Sequence, residues 1–222
     1  MPEIVVHHLE RSRSHRVLWL LEELGLEYEM VSYQRDPRSL RAPPELREVH
    51  ALGKSPVITI DGEVYAESGA ILEALVERGG DGLRPEPGTP AWRRYRYFMH
   101  YGEGSLMPPL LVALIVGQVR RVKVPFFIKP ITRSIADRME RGYHGPELER
   151  HGAFLEAHLQ AHAWFVGDAF TVADVHMSYP VEAGLARGFK GDLTALRAWH
   201  ERITSRPAYK RALERGGPVM LG

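Results

Sequence analysis

The chain has 222 residues, 29 Lys and Arg against 28 Asp and Glu, and no cysteine. The balanced charge is the wrong electrostatic footprint for a nucleic-acid binder. The missing cysteine excludes disulfides, thiolate metal sites and a protein-borne cysteine nucleophile, while the 44% apolar content is enough for the core of one large or two small domains.

"EIVVHHL" (3–9) is a short β-branched run and predicts a strand. No charged segment followed by a long apolar one precedes or overlaps it, so no signal peptide is expected and the chain reads as cytoplasmic. In "SHRVLWLLEELG" (14–25), Val17, Leu18, Leu21 and Leu24 recur at helical spacing and Gly25 supplies a stop. "EYEMVSY" (27–33) alternates as a second strand, and "PPELREVH" (43–50) opens on proline as a short helix. "PVITI" and "EVYA" flank Asp61-Gly62, a strong hairpin signal. "SGAILEALVERGG" (68–80) predicts a helix capped by Ser68 and stopped by glycine.

This is a β-α-β-α-β-β-α order within about eighty residues. Glycine and proline then concentrate in "GGDGLRPEPGTP" (79–90), as in a linker. Strand signals nearly vanish beyond it, and six helical stretches follow, the last read as one helix across "LTALRAWHERITSRPAYKRALERG". The expected fold is α/β plus all-α, with a thioredoxin-like domain at 1–80, a linker at 81–90 and a helical domain at 91–222. Thr171 to Asp174 reads as a structural capping box with Asp in place of Glu. His158 and His162 have metal-ligand spacing but no carboxylate partner, so no metal is expected. His7-His8 reads as strand and interface packing. The longest apolar run, "LLVALIV" (110–116), is far short of the ~20 residues that span a bilayer. "VRRVKVPFF" (119–127) mixes cations with apolar residues; it reads as a packed surface loop, with a membrane-surface contact as the other reading.

Pro56 heads the third strand, where a proline usually weakens pairing. Alone it reads as an ordinary trans proline. The element order instead suggests the cis proline of a thioredoxin-like domain.

Four segments, "RSRSHRVLWLLEELGLEYE", "GKSP", "ESGAILEAL" and "DAFTVADVHM", stand in the order and spacing of the glutathione transferase superfamily. The resemblance covers nearly the whole chain. "EGSLMPPLL" and "VPFFIKPI" resemble a fungal and bacterial subgroup with a longer helical domain. The resemblance implies glutathione as co-substrate, a homodimer and a serine-type mechanism, since Tyr28 and Tyr33 fall too late to serve the thiol.

It also implies roles for particular residues. Ser55, before a cis Pro56, would pair its backbone with the glutathione cysteine. Ser68 and the helix N-terminus would receive the γ-glutamyl carboxylate, though Ser68 also reads as a plain cap. Glu67 would take the ammonium, though it also reads as a solvated charge. Lys54, with Arg41 as the second choice, would take the glycine carboxylate. Ser12, four residues before Arg16, would donate to the sulfur, with Ser14 as rival and helix cap. Phe98, Tyr101 and Ser105 are expected to line the electrophile pocket by helical phase, and Glu103 to reach the γ-glutamyl ammonium across a dimer interface. The function expected is conjugation of the glutathione thiolate to an apolar electrophile, with glutathione-dependent peroxide reduction at the same site. A non-catalytic binding or interaction module on this fold is the alternative.

Overall fold

The computed structural model describes residues 3–219. Four strands, β1 (Ile4–Leu9), β2 (Glu29–Tyr33), β3 (Val57–Ile60) and β4 (Glu63–Ala66), form one sheet in the order β2-β1-β3-β4. β1 runs parallel to β2 and antiparallel to β3, with His7 opposite Val57. Asp61 and Gly62 both adopt positive φ, 54° and 86°, which is the turn geometry that matches strand twist. The helices of this layer are α1 (His15–Leu24), α2 (Leu46–Val49) and α3 (Ser68–Gly79). This is the thioredoxin-like arrangement.

The rest of the chain is helical. It comprises α4 (Pro90–Tyr101), α5 (Met107–Arg121), α6 (Lys129–Met139), α7 (Gly145–Ala161), α8 (Val172–Arg187), α9 (Thr194–Thr204) and α10 (Pro207–Gly216). Thr89 caps α4 by accepting from the Trp92 N–H at 3.1 Å. Two single π-turns, 102–106 and 140–144, join α4 to α5 and α6 to α7 without a break. The last predicted helix divides. Arg206 is extended (φ −61°, ψ 135°) because a residue before proline avoids the helical region, and Pro207 opens α10.

α1 is buried from His15 through Leu21. A helix buried all round must have neighbours on every side, and α1 packs on α3, α8 and α10. α10, last in sequence, thus lies on the first domain. Arg206 makes a two-pronged pair with Glu23 at 2.6 and 2.8 Å, and Arg211 meets Glu22 at 2.8 Å. A Cβ at Gly216 would lie 2.5 Å from the Leu18 side chain and 3.1 Å from the His8 ring, so glycine here allows the close approach to α1 without displacing either.

At the start of α8 the Asp174 carboxylate accepts from the Thr171 N–H at 3.0 Å, the Phe165 N–H at 3.1 Å and Trp199 Nε1 at 3.0 Å. The residue read as one half of a cap thus also ties two neighbouring segments to α8.

Burial holds two histidines neutral. His15, edge-on to Tyr209, and His176 on α8 are both lowered to about 3 by loss of solvation. Both fold in the neutral form while the unfolded chain takes up protons near the ordinary value. Their stability is therefore fully present above about pH 6.5 and is lost as pH falls below it. His15→Phe should reduce the slope of unfolding free energy against pH by about 1.4 kcal/mol per pH unit between roughly pH 6 and 4. Urea melts of both chains across that range are the measurement.

Candidate functional site

A cleft of about 920 Å³ lies between the two domains. One wall comes from the end of β1 and the start of α1 (Leu9, Ser12, Arg13) and from the loops carrying Arg35, Arg41 and Lys54-Ser55. The other comes from α5 (Met107, Leu110, Leu111, Leu114) and α8 (Tyr179, Ala183, Arg187). The first wall is polar and the second largely apolar. A notch continues from it past Ser55 and Pro56 to Glu67 and Ser68.

The Ser55-Pro56 bond is cis. The Ser55 hydroxyl donates to the His7 carbonyl at 3.2 Å and receives the Leu9 N–H at 3.4 Å, so the side chain extends the β1–β3 pairing. Among the described residues no hydrogen bond uses the Ser55 backbone N–H or carbonyl. Both are available at the cleft for an extended ligand.

Ser68 is the first residue of α3, and the cap position belongs to Glu67. The Ser68 hydroxyl makes no cap; it accepts from Arg16 Nη2 at 2.9 Å. Glu67 has φ 71° and ψ 125°, a conformation that costs a non-glycine residue roughly 1–3 kcal/mol. That strained turn sets an exposed carboxylate at the helix N-terminus.

Ser12 and Ser14 are both buried, but only Ser12 lines the cleft. Ser14 stands behind it. Its hydroxyl makes no cap to α1, contrary to the sequence reading. His8 Nε2 lies 2.8 Å from the Gly216 carbonyl, which only accepts, so Nε2 carries the proton. Burial lowers the His8 pKa despite the Gly216 carbonyl and the Glu10 charge, which favour the protonated ring less strongly, and the ring is neutral. Nδ1 then accepts, and the Ser14 hydroxyl donates to it at 2.8 Å. The Ser12 hydroxyl donates to Ser14 Oγ at 2.8 Å, while Ser12 Oγ receives the Ser14 N–H at 3.2 Å. Ser12 is the member of this chain whose hydroxyl can turn to a ligand.

Within the chain Glu103 pairs with two arginines of the first domain. One oxygen meets Arg16 at 2.8 Å and the other Arg13 at 2.9 Å. Burial would raise its pKa, but Arg16 and Arg13 hold it below the usual carboxylate range. Arg16 is fully enclosed and reaches Ser68, Glu103 and the His176 carbonyl (2.6 Å) together. Among the described residues the cleft is lined by six cations, Arg13, Arg35, Arg41, Arg47, Lys54 and Arg187, and by Glu103 as its single carboxylate. Such a lining draws in anions.

The structure does not bring Phe98, Tyr101 and Ser105 to this cleft. Phe98 and Tyr101 are core residues on the opposite side of α4, against Phe165, His158 and His151. Tyr101 and Ser105 edge a separate groove beside Arg93, Arg96 and His100. Helical phase groups Phe98 and Tyr101 on one face, but that face of α4 packs into the helical core, and Ser105 lies in the π-turn that follows. The apolar wall is Leu110, Leu111 and Leu114, completed on α8 by Tyr179 and Ala183 with the Arg187 cation at its end. The last three recur at i, i+4 and i+8, a stripe visible in the sequence.

Comparison with known proteins follows the same division. Residues 12–78 match the family model described as glutathione S-transferase, N-terminal domain, and residues 122–207 match glutathione S-transferase, C-terminal domain. The chain is 34% identical to glutathione S-transferase 1 of Saccharomyces cerevisiae over 226 aligned residues, covering 97% of this chain and 96% of that one. A crystal structure of a glutathione S-transferase from Actinobacillus pleuropneumoniae is 32% identical, with TM-score 0.77, over 96% of this chain and 92% of that one. A Phanerochaete chrysosporium protein cocrystallised with 1-(S-glutathionyl)-2,4-dinitrobenzene shares the fold at 20% identity, with TM-score 0.71, over 97% of this chain and 95% of that one.

Arg16→Ala should lower stability by roughly 3 kcal/mol. That is the low end for breaking a buried pair, because the Glu103 side chain keeps 30% exposure. Denaturant midpoints of wild type and variant measure it.

Proposed function

The chain belongs to the glutathione S-transferase family, and on that premise we propose that it binds glutathione along the polar wall of the cleft and conjugates its sulfur to apolar electrophiles held by α5 and α8. The observation that carries this reading is the convergence of Ser12, the unpaired Ser55 backbone and the Glu67-Ser68 turn on one cleft whose opposite wall is apolar.

Glutathione is an extended peptide with two carboxylates and one ammonium. Its cysteine would pair with the Ser55 N–H and carbonyl as a short added strand. Its γ-glutamyl carboxylate would lie at Ser68 and the first N–H groups of α3, where a helix attracts anions. Arg16 behind Ser68 adds a positive charge to that end. Glu67 would take the ammonium. Lys54 and Arg41 would take the glycine carboxylate. Glu103, paired with Arg13 and Arg16 on the cleft lining, would reach the ammonium across a dimer interface.

The sulfur would then face Ser12. A free thiol has a pKa near 8.5, so a small fraction is thiolate at neutral pH. The Ser12 hydroxyl, turned from Ser14 to the sulfur, donates to the thiolate and favours it over the thiol. The thiol proton leaves to solvent. The thiolate forms a carbon–sulfur bond, and a leaving group such as chloride departs with the electron pair of the broken bond. With no cysteine in the chain, no mixed disulfide with the protein enters the cycle.

Ser12→Ala should leave glutathione affinity nearly unchanged. It should raise the pKa of bound glutathione by about one to two units, the equivalent of a hydrogen bond to a charged group worth about 1.5–3 kcal/mol. Thiolate absorbance against pH reads this directly. The pH–rate profile for 1-chloro-2,4-dinitrobenzene should move to higher pH in step. A wild-type thiol pKa equal to that of free glutathione would overturn the catalytic reading in favour of a binding module.

Steady-state rates with that aryl halide and with cumene hydroperoxide separate transferase from peroxidase chemistry. Leu111→Asp, on the apolar wall, should raise the KM for the aryl halide about tenfold or more, through loss of apolar contact. Its glutathione KM should stay unchanged.

A further inference from the structure

Residues 104–136 contain no carboxylate and five cations, Arg120, Arg121, Lys123, Lys129 and Arg133. Arg120 is held by Asp137 and Glu140. The other four are exposed, and among the described residues no ion pair holds them. They flank the loop that joins α5 to α6.

That loop displays Phe126 at 82% and Phe127 at 65% exposure. The two rings pack edge to face on each other, with centroids 5.6 Å apart. The helices on either side add Ile115, Ile131 and Ile135, each about half exposed. Of the most apolar window in the continuous helix Pro90–Arg121, only 28% is buried. A core helix would be mostly buried. Adjacent exposed phenylalanines on a soluble surface mark a contact that the isolated chain does not make.

We propose that the α5–α6 loop docks this protein on an anionic lipid surface. Phe126 and Phe127 enter the boundary between headgroups and acyl chains, and Arg121, Lys123, Lys129 and Arg133 meet lipid phosphates. Charge decides against a second copy of the chain. A two-fold contact centred on the phenylalanines would set these four cations against their own images with no carboxylate between them. Apolar tips ringed by cations match the layering of a bilayer interface, where aromatic rings sit at headgroup depth and positive charge lies outside it. Because Leu110, Leu111 and Leu114 of the same α5 wall the cleft, docking would bring the apolar side of the cleft near the lipid. The docking itself does not depend on the transferase reading.

Cosedimentation of the full chain with vesicles tests this. One set is phosphatidylcholine alone and the other is phosphatidylcholine mixed with phosphatidylglycerol. At low salt the protein should partition at least about tenfold more strongly to the anionic vesicles, and added salt should reverse this. Phe126→Ser with Phe127→Ser should weaken binding to anionic vesicles at least about tenfold. Lys123→Gln with Lys129→Gln should reduce the anionic preference by a similar factor. All four positions are exposed, so thermal melts and glutathione affinity should match wild type and show that the variants are folded. Three results would overturn the proposal: no vesicle binding by wild type, equal binding by wild type and the serine variant, or equally tight binding to soluble poly-glutamate. Concentration-dependent self-association of wild type, lost in the serine variant and unaccompanied by vesicle binding, would assign the surface to a second copy instead.

Discussion

A single enclosed guanidinium holds the two domains in register. Arg16 leaves α1 and reaches Ser68 at the start of α3, the His176 carbonyl on α8 and Glu103 in the π-turn. A buried cation is costly unless it is paired and hydrogen-bonded. Satisfying it therefore requires α1, α3, α8 and the π-turn to arrive together. The π-turn meets this demand at close quarters: a Cβ at Gly102 would lie 3.1 Å from the His176 ring. Where these four elements meet, the polar wall of the cleft and its apolar wall are fixed relative to each other. The geometry of the cleft follows from this domain junction.

The C-terminal helix adds a second constraint. α10 closes over α1, and its last carbonyl, at Gly216, fixes the proton of His8 on Nε2. That choice makes Nδ1 an acceptor, which turns the Ser14 hydroxyl inward and leaves Ser12 as the outer member of the chain. Two serines separated by one residue thus have different work. The distinction is imposed from some two hundred residues away in sequence.

Electrostatics gives the cleft its direction. The lip from residue 34 to 45 is tied by Arg35, which donates to the carbonyls of Glu10, Leu40 and Arg11, and by Asp36, which accepts from the Arg38 and Ser39 N–H groups. Backbone bonds rather than a packed core hold it. The exposed side chains of Arg41 and Arg47 remain to line the cleft beside Lys54. The two walls of the cleft thus differ in polarity.

The sequence by itself determined the elements and the first domain. The hairpin at Asp61-Gly62, the helix stop at Gly25 and the proline at the head of β3 act through local backbone preference, and each stands where the sequence placed it. The order of those elements, with "GKSP" and "ESGAILEAL", was enough to indicate a thioredoxin-like domain and a glutathione-binding edge. Three things were settled only by tertiary structure. The apolar wall of the cleft is Leu110, Leu111 and Leu114 rather than Phe98 and Tyr101, because the face of α4 that carries those two rings packs on α7 and Phe165, and apolar periodicity does not report which apolar face meets the core. Glu103 became an internal partner of Arg13 and Arg16 because its neighbours come from α1, some ninety residues earlier. Ser12 and Ser14 became distinguishable because His8 and Gly216 fix the hydrogen-bond direction, and that direction exists only once α10 has packed on α1. Local propensity writes turns and helices into the chain. Which side of a helix meets a ligand, and which hydroxyl is left free, depend on contacts between segments that no local pattern encodes.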